Sequence, residues 1–110
     1  MNDKDFAVSE DKSLEEIVRR IVEVAQPERI VLFGSAARGT PGPDSDVDLL
    51  VVKRGAHRRK LAGEIYMRLI GVGRAVDVVV VTPEDIERFG DSPALVIESA
   101  LREGKVIYAA

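Results

Sequence analysis

The sequence predicts an α/β (α+β) domain in which helices flank one small mixed β-sheet, and three observations lead to that reading. Apolar residues recur at helical spacing from Leu14 to Ala25 and again from Leu61 to Leu69. Three short runs rich in branched apolar residues, Ile30 to Phe33, Leu49 to Val52 and Val78 to Val81, are the right length for buried strands. The two patterns follow one another in the order helix, strand, strand, helix, strand, helix, helix and a last short strand.

Residues 1–12 are polar and read as a mobile N-terminal arm, which leaves 13–110 as a single domain. Ser13 followed by Glu16 has the capping-box spacing, and Leu14, Ile17, Val18, Ile21, Val24 and Ala25 then line one side of a helix. Pro27 stops it, and Arg29 to Phe33 is the first strand. Ala36-Ala37-Arg38 reads as one helical turn, before Gly39, Pro41, Gly42 and Pro43 impose a loop. Val47 to Val52 is the second strand, and its continuous apolar end predicts cover on both faces. Arg58 to Ile70 carries a helix with Leu61, Ala62, Ile65, Leu69 and Ile70 on one side, ended by Gly71 and Gly73. Ala75 to Val81 is a valine-rich third strand. Thr82-Pro83 reads as an N-cap and first helical residue, and the helix runs to about Phe89. Ser92-Pro93 repeats that start signal for a helix to Arg102, with Gly104 as its stop. Lys105 to Ala109 forms an edge strand.

Composition bounds the function. The chain has 110 residues, 45% of them apolar, enough for one domain with a real core. With no cysteine there is no disulfide, thiolate zinc site or cysteine nucleophile. His57 is the single histidine, which excludes a site needing two. A net charge of −3 gives no bulk attraction to nucleic acid or to an anionic membrane. No apolar run approaches the ~20 residues of a membrane span, and the N-terminus lacks a signal peptide's basic start and apolar middle. A cytoplasmic location is the expectation.

The chemistry concentrates in one stretch. An apolar run enters Gly34-Ser35, ten residues intervene, and Asp46-Val47-Asp48 opens the second strand. Residues two apart on a strand share a face, so Asp46 and Asp48 can share a divalent cation. Glycine lets backbone come close to an anion, and Ser35 adds a hydroxyl. A third carboxylate, Asp77, stands among Val76, Val78, Val79, Val80 and Val81. Buried and unpaired there, its charge would cost on the order of a few kcal/mol, so it must meet solvent, a cation or a hydrogen-bonding partner. If its strand lies beside the second, the three aspartates converge. Three carboxylates around two Mg2+ ions about 3.5–4 Å apart make a phosphoryl- or nucleotidyl-transfer site.

The block GSAARGTPGPDSDVDLLVV resembles the signature of the minimal nucleotidyltransferases, the smallest members of the DNA polymerase beta-like superfamily. SALREGKVIYA is similar to the family's C-terminal run, so the resemblance covers roughly residues 14–109. It implies Mg2+-dependent (or Mn2+-dependent) transfer of a nucleoside monophosphate, AMP from ATP or the equivalent from another NTP, to a hydroxyl. It implies Gly34 and Ser35 as phosphate ligands, Asp46 and Asp48 as ligands of two metal ions, and Asp77 as the third ligand that orients or deprotonates the acceptor. Small members of the family pair with a helical HEPN protein, acting as the antitoxin that adenylylates a tyrosine of the HEPN toxin. A chain this small has no second substrate-gripping domain, so a partner or a second copy of itself is expected to complete binding. A contact antitoxin without chemistry and a nucleotide-binding module are the other functions the sequence admits.

Other residues have plainer readings beside the functional ones. Arg38 either steadies the triphosphate or tethers its loop by a salt bridge. Ser45 bonds loop backbone, or else a phosphate or metal-bound water. Asp44 reads as a loop residue. Glu84 and Asp85 suit the dipole of a helix start. The basic run Lys53 to Lys60 reads first as a solvated loop; cations at a helix start raise the alternative of an anionic neighbour, such as a triphosphate or an acidic partner surface. His57 reads as exposed and Tyr66 as packing.

Overall fold

A computed structural model describes residues 12–34, 46–89 and 96–110. The elements are α1 (Lys12–Ala25), β1 (Arg29–Phe33), β2 (Val47–Val52), α2 (Arg58–Arg68), β3 (Val76–Val81), α3 (Pro83–Phe89), α4 (Val96–Glu103) and β4 (Lys105–Ala109). The strands form one four-stranded sheet in the order β3-β2-β1-β4. β1 pairs antiparallel with both β2 and β4, while β2 and β3 run parallel. The α/β reading and its element order hold. The arm at 1–11 and the Ser92-Pro93 helix start lie outside the described residues.

Strand alternation sorts the core into two layers. Leu49 and Val51 of β2 face α1 and α2, beside Ile17, Ile21, Ile65 and Leu69. Leu50 and Val52 face the other way, onto Ile97 and Ala100 of α4, with Ile86 of α3 packed against that cluster. Leu49 to Val52 are thus covered on both faces, as their unbroken apolar run requires.

Local chemistry holds each element. α1 begins at Lys12, two residues before the Leu14 start that a Ser13 cap implies, and the Ser13 hydroxyl accepts a hydrogen bond from Arg74 Nη1 at 3.0 Å. Arg20 Nη1 reaches from α1 to the carbonyls of Arg68 and Ile70, each 3.1 Å away, and so caps the C-terminus of α2. α2 stops at Arg68, and Ile70 is 69% exposed rather than on the buried side. Leu69 is the C-cap and Gly71 follows at φ +87°, so Ile70 lies past the last helical residue and is not held on the buried side.

Gly104 joins α4 to β4. A Cβ there would overlap the Ala100 carbonyl and the Val31 side chain, so only glycine allows β4 to pair with β1 so soon after the helix.

Candidate active site

The register of three strands builds the site. Asp48 is opposite Phe33 on β1 and opposite Asp77 on β3. Both aspartates therefore lie on the face that carries α3 and α4, with Asp48 two residues before Leu50 and Asp77 two before Val79. β1 ends at Phe33, and Gly34 follows with φ +75°. A Cβ on Gly34 would collide with the Asp48 carboxylate. Its backbone thus turns directly over that carboxylate, a path open to glycine alone.

Electrostatics mark the same point. Asp48 is half-buried, and burial first, then the charges of Asp77 and Asp46 and a side-chain hydrogen bond with Asp77, push its carboxyl above the usual carboxylate range. Among the described residues no cationic side chain forms an ion pair with any of the three. Asp46 is exposed and precedes the first ladder residue of β2, so the strand register does not hold it against the other two. Accordingly no group of three carboxylate or imidazole side chains among the described residues is already drawn into a metal cage. The donors present are hard carboxylate oxygens with no ion-paired cation among the described residues, which suits Mg2+ or Mn2+. Ser35, Arg38, Asp44 and Ser45 lie outside the described residues.

The basic run sits elsewhere. β2 leaves the site at Val47 and delivers the chain to Lys53 after six residues, roughly 20 Å along the strand. A triphosphate at Gly34 is therefore out of reach of Arg58, Arg59 and Lys60, which corrects that half of the expectation. The run has local partners instead. Arg58 Nη1 is 3.0 Å from Asp85 Oδ1, and Lys53 Nζ donates to the Gln26 carbonyl at 3.0 Å. His57, exposed as expected, is the N-cap of α2, its Nδ1 accepting from Lys60 N at 3.3 Å.

Two residues do more than their plain readings. Asp85 is buried and closes a capping box on α3: Thr82 N donates to Asp85 Oδ2 at 2.9 Å, and Asp85 N to Thr82 Oγ1 at 3.1 Å. The Thr82-x-x-Asp85 spacing carried that signal. Tyr66 is half-exposed, and its hydroxyl accepts the Val78 N–H at 2.8 Å, beside Asp77. No sequence pattern links those two positions.

The chain belongs to the nucleotidyltransferase domain family, whose pattern matches residues 11–107. Among curated proteins it is 38% identical over 85 residues to a Methanocaldococcus jannaschii protein named as a candidate protein adenylyltransferase, covering 72% of this chain and 56% of that one. The chain thus spans little more than half the length of that relative. Among solved structures it superposes on a candidate nucleotidyltransferase from Sulfolobus solfataricus with a TM-score of 0.60 at 23% identity, over 89% of this chain and 78% of the other. It also superposes on a mutant MntA–HpeT toxin–antitoxin structure, with a TM-score of 0.62 at 14% identity over 87% and 72% of the two chains. A toxin–antitoxin structure with AMP-PNP gives a TM-score of 0.52 at 22% identity over 87% and 73%. These likenesses share the fold. No helix among the described residues is long and apolar enough to cross a membrane.

Proposed function

We propose that the chain transfers a nucleoside monophosphate, AMP from ATP, to a hydroxyl on a partner protein, and that the acceptor is a tyrosine of a HEPN toxin for which the chain is the antitoxin. The observation that carries this reading is the strand register that sets Asp48 beside Asp77 beneath the left-handed turn at Gly34. The adenylyltransferase relative and the toxin–antitoxin neighbours favour a protein acceptor over a nucleic acid.

Each residue has a task. The turn at Gly34 and the hydroxyl of Ser35 hold the phosphate chain, with Arg38 and Ser45 as further polar groups of that loop. Asp46, Asp48 and Asp77 would hold two divalent cations, which would lower the acceptor hydroxyl's pKa and neutralise the triphosphate's charge. Asp77 orients the acceptor hydroxyl and accepts its proton. The hydroxyl oxygen then bonds to the α-phosphorus as the bond to the β-phosphate oxygen breaks, and pyrophosphate leaves with the electron pair. A half-buried Asp48 with Asp46 and Asp77 close enough to raise its pKa suits this use, since charge pre-placed where the transition state needs it requires no reorganisation.

The test is label transfer from α-phosphate-labelled ATP, with Mg2+, to a purified HEPN-domain protein from the same genome. Label is expected with the parent chain, and a loss of about 100-fold or more with Asp46→Asn or Asp48→Asn. Retained transfer in either variant would overturn the two-metal assignment. No transfer with any NTP, alongside neutralisation of the toxin by Asp46→Asn, would instead establish a contact antitoxin.

A further inference from the structure

α2 buries one apolar face and carries a second, exposed apolar group toward its C-terminal end, beyond the exposed Arg59, Lys60 and Glu64. Leu61, Ile65 and Leu69 turn toward the sheet. Arg68, on one flank, pairs with Glu23 of α1 at 3.3 Å. At 100° per residue Tyr66 lies almost opposite Arg68, on the flank away from α1. That flank overlooks β3, the edge strand, and Tyr66 spans the gap by accepting the Val78 N–H. Met67 and Ile70 extend the same surface, each 69% exposed, and the Cβ position of Gly63 faces open space. Three of the four large hydrophobic side chains exposed among the described residues are gathered here. The fourth, Val106, is across the sheet on β4.

The reaction geometry says what this surface is for. In-line transfer needs the acceptor oxygen and the leaving pyrophosphate on opposite sides of the α-phosphorus. Gly34 is at the end of β1 and Asp77 is on β3, with β2 and Asp48 between them. With the phosphates held over Gly34, the acceptor comes from the side of Asp77, where β3 is the free edge of the sheet. The element flanking that edge is α2, and the side it presents there is Tyr66 with Ile70, Gly63 and Met67.

We propose that the protein bearing the acceptor hydroxyl docks on this flank of α2, setting an apolar patch of its own against Gly63, Tyr66, Met67 and Ile70 and passing its hydroxyl around the edge of β3 to Asp77. This rests on the transferase reading above for the identity of the occupant. Around Tyr66, Met67 and Ile70 the flank offers aromatic and aliphatic groups, the composition of an interface core, and Arg59, one turn before Gly63, brings charge to its edge.

The test separates docking from chemistry. Binding of the HEPN-domain protein is measured by sedimentation with the Asp46→Asn chain, then with M67E/I70E added, with G63W added, and with V106E added. M67E/I70E and G63W are each expected to weaken binding about tenfold or more, as truncation at an interface centre does. V106E is expected to leave binding unchanged. Unchanged ATP affinity in M67E/I70E shows that the fold and nucleotide site survive; G63W fills open space and guards against a misfolded double variant. Binding equal to the parent's in both α2 variants would overturn the proposal, and so would no binding by the parent chain. A parent homodimer dissolved by M67E/I70E, with HEPN binding intact, would also overturn it, the occupant then being a second copy. Binding that depends on α2 without nucleotide transfer by the wild-type chain supports the docking surface and overturns the transferase reading alone.

Discussion

Asp48 stands where three strand ends meet, and its surroundings disfavour its charge. The burial and like charges that raise its pKa also set its effect on stability. A carboxyl whose folded pKa lies above its unfolded one costs the fold increasingly as pH rises through the folded value. Without divalent metal, Asp48→Asn should therefore melt at a higher temperature than the parent at neutral pH. The gap should close as pH falls through the ordinary aspartate range, where both states are protonated. Thermal melts in chelator at a series of pH values check this; a variant less stable at neutral pH would contradict it. The same substitution is expected to abolish transfer, so a site residue here costs stability in exchange for chemistry.

At the scale of an element, α3 has seven residues and depends on its start. The Thr82–Asp85 box satisfies two of its free N–H groups. The hydrogen bond from Thr82 N leads in holding the Asp85 carboxyl below the usual range, with the Thr82 hydroxyl and Arg58 adding to it against the effect of burial. Stability from a depressed carboxylate is present above the unfolded pKa and lost as pH falls through the folded one. Asp85→Ala should cost about 1–2 kcal/mol at pH 7, and visibly less near pH 3. Urea titrations at the two pH values measure both numbers. The Arg58 link also ties the start of α2 to α3, which gives the misplaced cations of α2 a structural reason.

Over the whole molecule, the sheet separates two ends. Gly34 and the aspartates occupy one, and Lys53 to Lys60 with the Asp85 cap occupy the other. α1 lies across the first core layer, where Ile17 and Ile21 have no exposed surface. Ile21→Ala should leave a cavity and cost about 2–5 kcal/mol, a large share of the ~5–15 kcal/mol typical of a domain. Chemical denaturation gives the loss directly. Nucleotide affinity measured well below the melting temperature should hold, because the site is on the opposite face of the sheet.

The sequence alone determined the elements, their order and which residues are candidates for the site. Helical periodicity and short unbroken apolar runs are local, and they marked α1, β2 and β3 to within a residue or two. Gly34 and Asp48 were legible because each must be that residue: one for a left-handed turn, the other for a charge at a strand start. Only the tertiary structure decided which charges meet. Asp48 and Asp77 are neighbours because β2 and β3 pair parallel in one register, and a shift of one residue would have turned one aspartate to the other face. The cations at the start of α2 pointed to an anionic neighbour, and only the fold shows that Arg58 has Asp85 while β2 carries the run away from Gly34. Tyr66 and the bare flank of α2 stayed silent for the same reason. Whether an apolar residue is core or surface depends on which neighbour packs against its side of the helix, and that neighbour is set by the fold.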